Sequence, residues 1–255
     1  MKSVEDIKPY GETAQGNKSD QVRDMFNNIA PAYDRMNRLM TFGNDVRWRR
    51  KCVKRVKEGN PRKVLDIAAG TGDVSIALAL AGVPEVVGVD LSEGMIAVGR
   101  EKVKRKNLSD KVHLTIADAL ALPFDDNFFD AVTIAFGVRN FENIDKGYSE
   151  IKRVLKPGGK LYVLELATPQ SRLIKPFYKF YSGCLIPALG RLMSKDRRAY
   201  SYLPESIAAV PARAAMAEKM TKAGMEKAEW KDQTFGVAVL YVATKPNNEC
   251  TTKKP

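Results

Sequence analysis

The sequence predicts an α/β protein built on an open, seven-stranded, mostly parallel sheet. Helices precede the first strand, and a helical insertion follows the fifth. Three observations carry this. Short apolar runs alternate with stretches of helical length through the middle of the chain. A glycine-rich turn, Ala68-Ala69-Gly70-Thr71-Gly72, follows the first of those runs. The chain has 255 residues, 44% hydrophobic and 28% charged, an ordinary globular balance with enough length for one large core.

Residues 1–20 hold Glu5, Asp6 and Glu12 without an apolar stretch, so they read as a loose polar arm rather than a leader peptide. Further on, Trp48, Cys52 and Val56 recur at i, i+4 and i+8, the stripe of a helix. Lys63–Ala68 is the first strand, followed by the turn and a helix from about Asp73 to Ala81. Glu85–Asp90 is the second strand, and Glu93–Lys106 is a helix. Lys111–Ile116 and Phe128–Ala135 are the third and fourth strands. A helix over Ile144–Leu155 leads to the turn Pro157-Gly158-Gly159, which opens a fifth strand, Lys160–Leu166. Helical crossovers between these strands make them parallel neighbours. Residues 170–203 form the helical insertion. Helical stretches near Glu205–Ala223 break at Pro211, and Glu226–Lys231 and Gly236–Thr244 close the sheet. One domain thus spans 21–245, with a disordered tail over 246–255.

No run of 18 apolar residues occurs, which excludes a transmembrane helix. Three scattered cysteines, Cys52, Cys184 and Cys250, fit a reducing, cytoplasmic setting and form neither a disulfide framework nor a zinc site. The net charge of +12 is unevenly placed: residues 35–57 carry +8 and residues 170–198 carry +6, which leaves −2 for the rest. Both segments mix bases with apolar side chains, the second with Leu173, Phe177, Tyr178, Phe180 and Tyr181 among others. Basic and amphipathic character together suit an anionic membrane surface, on the inner face of the cell membrane. The competing reading is a solvated basic face whose apolar stripe belongs to the core or to a homodimer surface.

Ligands of such sheets bind outside the carboxyl ends of the strands. Four carboxylates fall there: Asp66 in the first strand, Asp73 past the turn, Asp90 ending the second strand and Asp118 after the third. A pyrophosphate avoids such company. The dinucleotide fingerprint also lacks its third glycine, with Ser75 in that place, and no GK[ST] phosphate loop exists. An acidic pocket in a basic chain suits S-adenosylmethionine, which carries a sulfonium, an ammonium and a ribose for Asp90 to accept. Asp66, Gly70 and Gly72 complete this candidate cofactor site, although acids near a helix start also serve as caps. No metal-ligand cluster is present in the sequence, so no metal is expected.

Val64-Leu65-Asp66-Ile67-Ala68-Ala69-Gly70-Thr71-Gly72-Asp73 resembles the first motif of class I methyltransferases, whose fold is Rossmann-like. More narrowly, the chain resembles the ubiquinone/menaquinone biosynthesis C-methyltransferase family. Tyr33-Asp34-Arg35-Met36-Asn37 with Trp48 matches one signature, and Arg153-Val154-Leu155-Lys156-Pro157-Gly158-Gly159 running to Glu165 matches the other. Leu122-Pro123-Phe124, Phe136-Gly137-Val138-Arg139-Asn140 and Tyr202-Leu203-Pro204-Glu205-Ser206 also agree, so the likeness runs from about Val22 to Thr244. It departs at Asp45, where the pattern commonly has His, at Thr41 and Ala167, where it has Ser, and at Ala69, usually Gly. The resemblance implies that Thr71, Asp90, Asp118 and Ala119 contact the cofactor, with Ala135 doing so through its backbone. It also implies methylation of a ring carbon of a polyprenylated quinol, demethylmenaquinol to menaquinol, or the analogous step in ubiquinone biosynthesis.

Carbon methylation needs an electron-rich ring, and a phenol with a pKa of ~10 needs help to ionise at neutral pH. Arg139 is the candidate to stabilise the phenolate, Tyr33 to orient the ring and Asp118 to accept a proton through water. Glu165 is a further candidate base. His113 lies mid-strand and reads as a packed or surface residue. Residues 173–193 read as a lid for the prenyl tail. Three rivals differ in class. An RNA methyltransferase fits the basic charge, but the Asn-Pro-Pro-Tyr-like tetrapeptide of base aminomethylases is missing after the fourth strand, so no nucleic-acid partner is expected. A dinucleotide oxidoreductase fits the turn only in part. A non-catalytic peripheral membrane adaptor is at odds with the retained Gly70, Gly72, Asp90 and Arg139.

Overall fold

A computed structural model describes residues 2–185 and 197–247. Five helical segments cover the N-terminal quarter: a short 3-10 turn at Val4–Asp6, α1 (Lys18–Ile29), a second 3-10 turn at Ala30–Ala32, α2 (Tyr33–Met40) and α3 (Asn44–Lys57). The sheet region alternates β1 (Lys63–Ile67), α4 (Asp73–Leu80), β2 (Glu85–Asp90), α5 (Glu93–Arg105), β3 (Val112–Ile116) and β4 (Phe129–Ala135). Then come α6 (Ile144–Val154), β5 (Leu155–Leu166), α7 (Ile174–Phe180), α8 (Arg197–Ala209), α9 (Ala214–Lys222), β6 (Glu226–Gln233) and β7 (Ala238–Thr244). The strand order is β3-β2-β1-β4-β5-β7-β6. β1 to β5 pair in parallel, whereas β7 runs antiparallel to β5 and to β6.

The central strands are buried on both faces, which is why they read as continuous apolar runs. One core layer holds Leu65, Ile67, Phe129, Val132, Ile134 and Tyr148; the other holds Val64, Val86, Leu78, Ile96, Ala131 and Tyr162. Successive residues of β1 alternate between these layers, as the pleat requires. The chain leaves β1 and β4 toward opposite sides, so a crevice opens between their carboxyl ends.

The predicted strands are found within one or two residues, with two adjustments. The fifth strand starts at Leu155 and takes in the Pro157-Gly158-Gly159 turn, with a register shift between Phe129 and Ala131. The helix expected from Glu205 begins at Arg197 and continues through Pro204.

The N-terminal arm is not loose. Val4 is buried in the same layer as Leu65, and the Glu5 carboxylate accepts the Ile144 backbone N–H at 2.8 Å. The buried Lys18 Nζ donates to the carbonyls of Val4 (2.5 Å) and Arg139 (3.0 Å), and burial lowers its pKa to about 8. The Trp48/Cys52/Val56 stripe packs into the second core layer beneath β1 and is therefore closed to lipid. Burial pushes the Cys52 thiol up to about 12, leaving it inert. His113 is exposed on edge strand β3, and the part of the lid at 186–196 lies outside the described residues, as does the tail beyond 247. No described helix is long and apolar enough to cross a membrane.

Removing two methyls from a buried valine costs about 2 kcal/mol. Val4→Ala should lower the unfolding free energy by about that amount in urea titration, whereas an undocked arm would give no change.

Candidate active site

Two cavities meet at the carboxyl ends of β1, β2 and β4. The first, of about 710 Å³, is lined by Gly70, Asp90, Asp118, Ala119, Ala135 and the rings of Tyr33 and Phe136, among others. Gly70 has φ +56°, a left-handed conformation that lets the turn carry its N–H inward without strain. That N–H donates to Asp90 Oδ2 at 2.8 Å, and Ser92 N donates to Oδ1 at 2.9 Å. Burial raises the Asp90 pKa, against the pull of these amides. A carboxylate has about four lone-pair sites, so Asp90 keeps acceptor capacity for two ribose hydroxyls. Asp118 Oδ1 accepts the Leu120 N–H at 2.9 Å and shares the cavity. Two acids in a pocket with apolar walls fit the adenosyl, sulfonium and ammonium parts of S-adenosylmethionine.

Not every expected cofactor residue lines this cavity. Asp66 lies beneath α4, where it accepts from Ser75 Oγ (2.6 Å) and Thr133 Oγ1 (2.8 Å). The pleat explains this: Asp66 shares the face of Val64, while Leu65 and Ile67 point to the other layer. Thr71 is buried and donates to Asp34 Oδ1 at 2.6 Å, and Gly72 serves as the N-cap of α4. Asp73 pairs with Lys102 and lies 3.4 Å from Arg49 Nη1. Burial works to raise its pKa, but Lys102 and Arg49 outweigh that and hold the carboxyl below its ordinary value. These groups brace the turn through contacts within the protein.

The second cavity, of about 1000 Å³, is mainly apolar. Tyr33 and Phe136 line both cavities and form the partition between them. Phe136 adopts φ +62°, unusual for a bulky residue and a sign of strain held by its surroundings. Its N–H donates to the Leu164 carbonyl (2.7 Å), its ring meets Trp48 edge-on at 6.2 Å, and the Arg49 guanidinium lies 5.4 Å above it. The next residue must be glycine, because a Cβ on Gly137 would come within 2.5 Å of the Ala68 Cβ. Tyr33 is braced by Phe26, ring centroids 5.9 Å apart at 80°. Burial raises its phenol pKa, against the opposing pull of Arg49 and Arg139, so at neutral pH it is a hydrogen-bond donor.

Arg139 belongs to the second cavity, not the first. Its Nη1 donates to Glu165 Oε1 (2.7 Å) and to the Phe136 carbonyl. Burial pulls the guanidinium pKa down, but Glu165 outweighs that and raises it. The Nε is buried and has no hydrogen-bond partner among the described residues. Glu165 also accepts the N–H groups of Leu166 (2.9 Å) and Arg139 (3.3 Å), so it acts as an anchor, and it lines neither cavity. Asp118 lines the first cavity alone of these two, which suits the cofactor and not the expected proton transfer from a ring in the second.

Several lining residues escaped sequence reasoning. Asp45 and Arg49 pair at 2.5 Å in the second cavity, and Thr41 Oγ1 donates to Asp45 at 2.8 Å. Their i, i+4 spacing, with Asp45 the lone acid of a basic stretch, was the available signal. Asn37 also lines it, as do Tyr178 and Tyr181 from the segment expected to form a lid. No group of His, Cys, Asp and Glu among the described residues could hold a metal.

A sheet of this order with an acid-lined cavity at its β1–β2 ends defines a class I methyltransferase. The chain belongs to the ubiE/COQ5 methyltransferase family, whose model matches residues 14–245. It is 48% identical to the demethylmenaquinone methyltransferase of Bacteroides fragilis, over 94% of this chain and 98% of that protein. It is 46% identical to the ubiquinone/menaquinone biosynthesis C-methyltransferase UbiE of Geobacter sulfurreducens, over 89% of this chain and 90% of that one. In solved structures, an SAM-dependent methyltransferase from Thermotoga maritima shares the fold at TM-score 0.62 and 20% identity, covering 88% of this chain and 99% of that one.

Asp66 supplies a test of this geometry. Burial lifts its pKa to about 6, against an ordinary ~3.9. Well below pH ~3.9 both folded and unfolded forms are protonated and nothing is lost. As pH rises to 6 the unfolded form ionises first, and the fold loses up to ~3 kcal/mol. The melting temperature of Asp66→Asn relative to wild type should therefore climb between pH 4 and 6.5 in calorimetry; a constant difference would show an ordinary carboxyl.

Proposed function

We propose that the protein transfers a methyl group from S-adenosylmethionine to a ring carbon of demethylmenaquinol, yielding menaquinol. The observation that carries this is the pair of cavities sharing the Tyr33–Phe136 partition, one holding Asp90 and Asp118, the other larger and mainly apolar and lined in part by Arg139. When bound, the cofactor supplies an electrophilic methyl group. The names of the Bacteroides and Geobacter relatives support a quinol ring as the acceptor.

The chain's own residues would do the rest. Asp90 and Asp118 hold the cofactor side. The Arg139 Nε donates to the ring oxygen beside the reacting carbon and stabilises its phenolate, in a site where low polarity strengthens the interaction. Tyr33 sets the ring plane against the partition. Holding the two reacting atoms close and in line lowers the barrier by its entropic share. The apolar walls keep water from the ring.

A prenyl tail must leave this cavity, and its mouth is built for lipid. Phe42, which lines the cavity, is 74% exposed, and Phe177 and Phe235, next in sequence to the lining residues Tyr178 and Thr234, are 79% and 77% exposed. Phe42 and Phe235 both have positive φ, so the backbone is strained where it presents them. Leu173, Phe177 and Phe180 follow one stripe of α7, facing away from the cavity that Tyr178 and Tyr181 line. Exposed Arg38, Arg47, Arg50 and Lys51 on α2 and α3 match an anionic bilayer. The protein therefore docks on the inner membrane surface, mouth downward.

Arg139→Lys keeps a cation beside Glu165 and removes the Nε donor. The value of kcat for demethylmenaquinol should fall ~100-fold, with S-adenosylhomocysteine affinity unchanged by calorimetry; an unchanged kcat refutes the role. Wild-type protein should co-sediment with anionic vesicles more than with neutral ones, less so as salt rises, and Phe177→Ser with Phe235→Ser should abolish this. Equal binding to both vesicle types, or a change confined to a homodimer mass in light scattering, would assign the surface elsewhere.

A further inference from the structure

Among the described residues, two buried side-chain polar atoms lack a hydrogen-bond partner: Arg139 Nε and the Tyr181 hydroxyl. Both residues line the second cavity. Buried polar groups are nearly always satisfied, and leaving one unmade costs more than an average hydrogen bond gains. Two such groups in one mainly apolar cavity are therefore best understood as completed by a ligand that brings two oxygens.

Their positions differ. Arg139 is tied to the carbonyl of Phe136, and so stands at the partition with the cofactor cavity. Tyr181 stands toward the mouth, its ring 6.0 Å from that of the exposed Phe42. It opens a π-helical turn, Tyr181–Leu185, directly after α7. Such turns are rare and cluster at functional sites. Burial raises the Tyr181 phenol pKa, so the hydroxyl is a donor at neutral pH.

We infer that the Tyr181 hydroxyl hydrogen-bonds the second ring oxygen of the quinol, the one flanking the tail-bearing carbon, while Arg139 takes the oxygen beside the reacting carbon. This rests on the quinol reading above and adds a residue to it. The pairing selects a ring with two para oxygens and enters it in one orientation, tail toward the mouth. Tyr181 is a positioning residue, and no bond to it forms or breaks.

The test crosses one variant with two substrates. The full-length protein and Tyr181→Phe are assayed with short-tailed demethylmenaquinol and with its analogue lacking the hydroxyl that flanks the tail-bearing carbon. Removing one neutral hydrogen bond should raise KM for the quinol about tenfold in the variant, with kcat within about twofold. The analogue should show equal KM with both proteins, and S-adenosylhomocysteine affinity should not move. Equal KM for the quinol overturns the inference. So does an equal rise for both substrates, which marks either a merely structural ring or a partner other than that oxygen. Absence of wild-type turnover with either substrate would instead sink the quinol reading itself.

Discussion

Arg139 donates to Glu165 at the end of β5 and to the carbonyl of Phe136, while its own carbonyl accepts from the buried Lys18. One residue thus joins the loop after β4, the last turn of β5 and the N-terminal helices. Its guanidinium is desolvated, which is costly unless its partners are fixed. Glu165 is fixed by two backbone N–H groups, and Lys18 is fixed by the carbonyl of Val4 as well. Stability here depends on geometry already set by β4 and β5, and the Nε is left without a partner among the described residues. Docking of the arm follows from the same hub: Lys18 can be buried only because two carbonyls meet it.

A second set of charges holds the cofactor turn. Asp45, Arg49, Asp73, Lys102 and Asp34 alternate in sign from the second cavity to the back of the turn, and Thr71 closes the set. Members contributed by α2, α3, α4 and α5 are thereby held in register. Asp34 is the neighbour of Tyr33, so the set also fixes where α2 places the partition ring. Asp66 and Asp73, grouped with Asp90 and Asp118 on sequence grounds, are engaged instead in contacts that brace the turn. The division is physical: Asp90 and Asp118 stand where the chain leaves the sheet, and Asp66 and Asp73 stand where a helix returns over it.

The strands were legible because their signals are local. Apolar runs and glycine or proline turns define KVLDIA or EVVGVD without knowledge of the rest of the chain. Asp90 and Asp118 were legible for the same reason, as the first polar residues past a strand. Asp66 was not, since its direction depends on a pleat counted from inside the strand and on a helix packed above it. Val4 was hidden because one apolar residue among acids carries no periodicity, and its partners lie beyond residue 60. The basic stripe of α3 was half legible: its period marked a helix, but only packing decides whether such a stripe meets lipid or core. The loops bearing Phe42 and Phe235 carry no pattern at all, and their shared place at one mouth is a property of the fold.

The partition explains why two unlike ligands can react in one site. A charged, water-soluble donor and a lipid need opposite surroundings, and no single pocket provides both. Tyr33 and Phe136 separate the two environments by the thickness of aromatic rings. Phe136 can hold its place at positive φ because β5, Trp48 and Arg49 brace it from three sides. A softer residue would let the cavities merge and admit water to the ring. The strain in that backbone is thus balanced by packing that the sheet supplies in any case, and the rigidity it yields keeps the acid-bearing cavity apart from the mainly apolar one while leaving the two a common boundary.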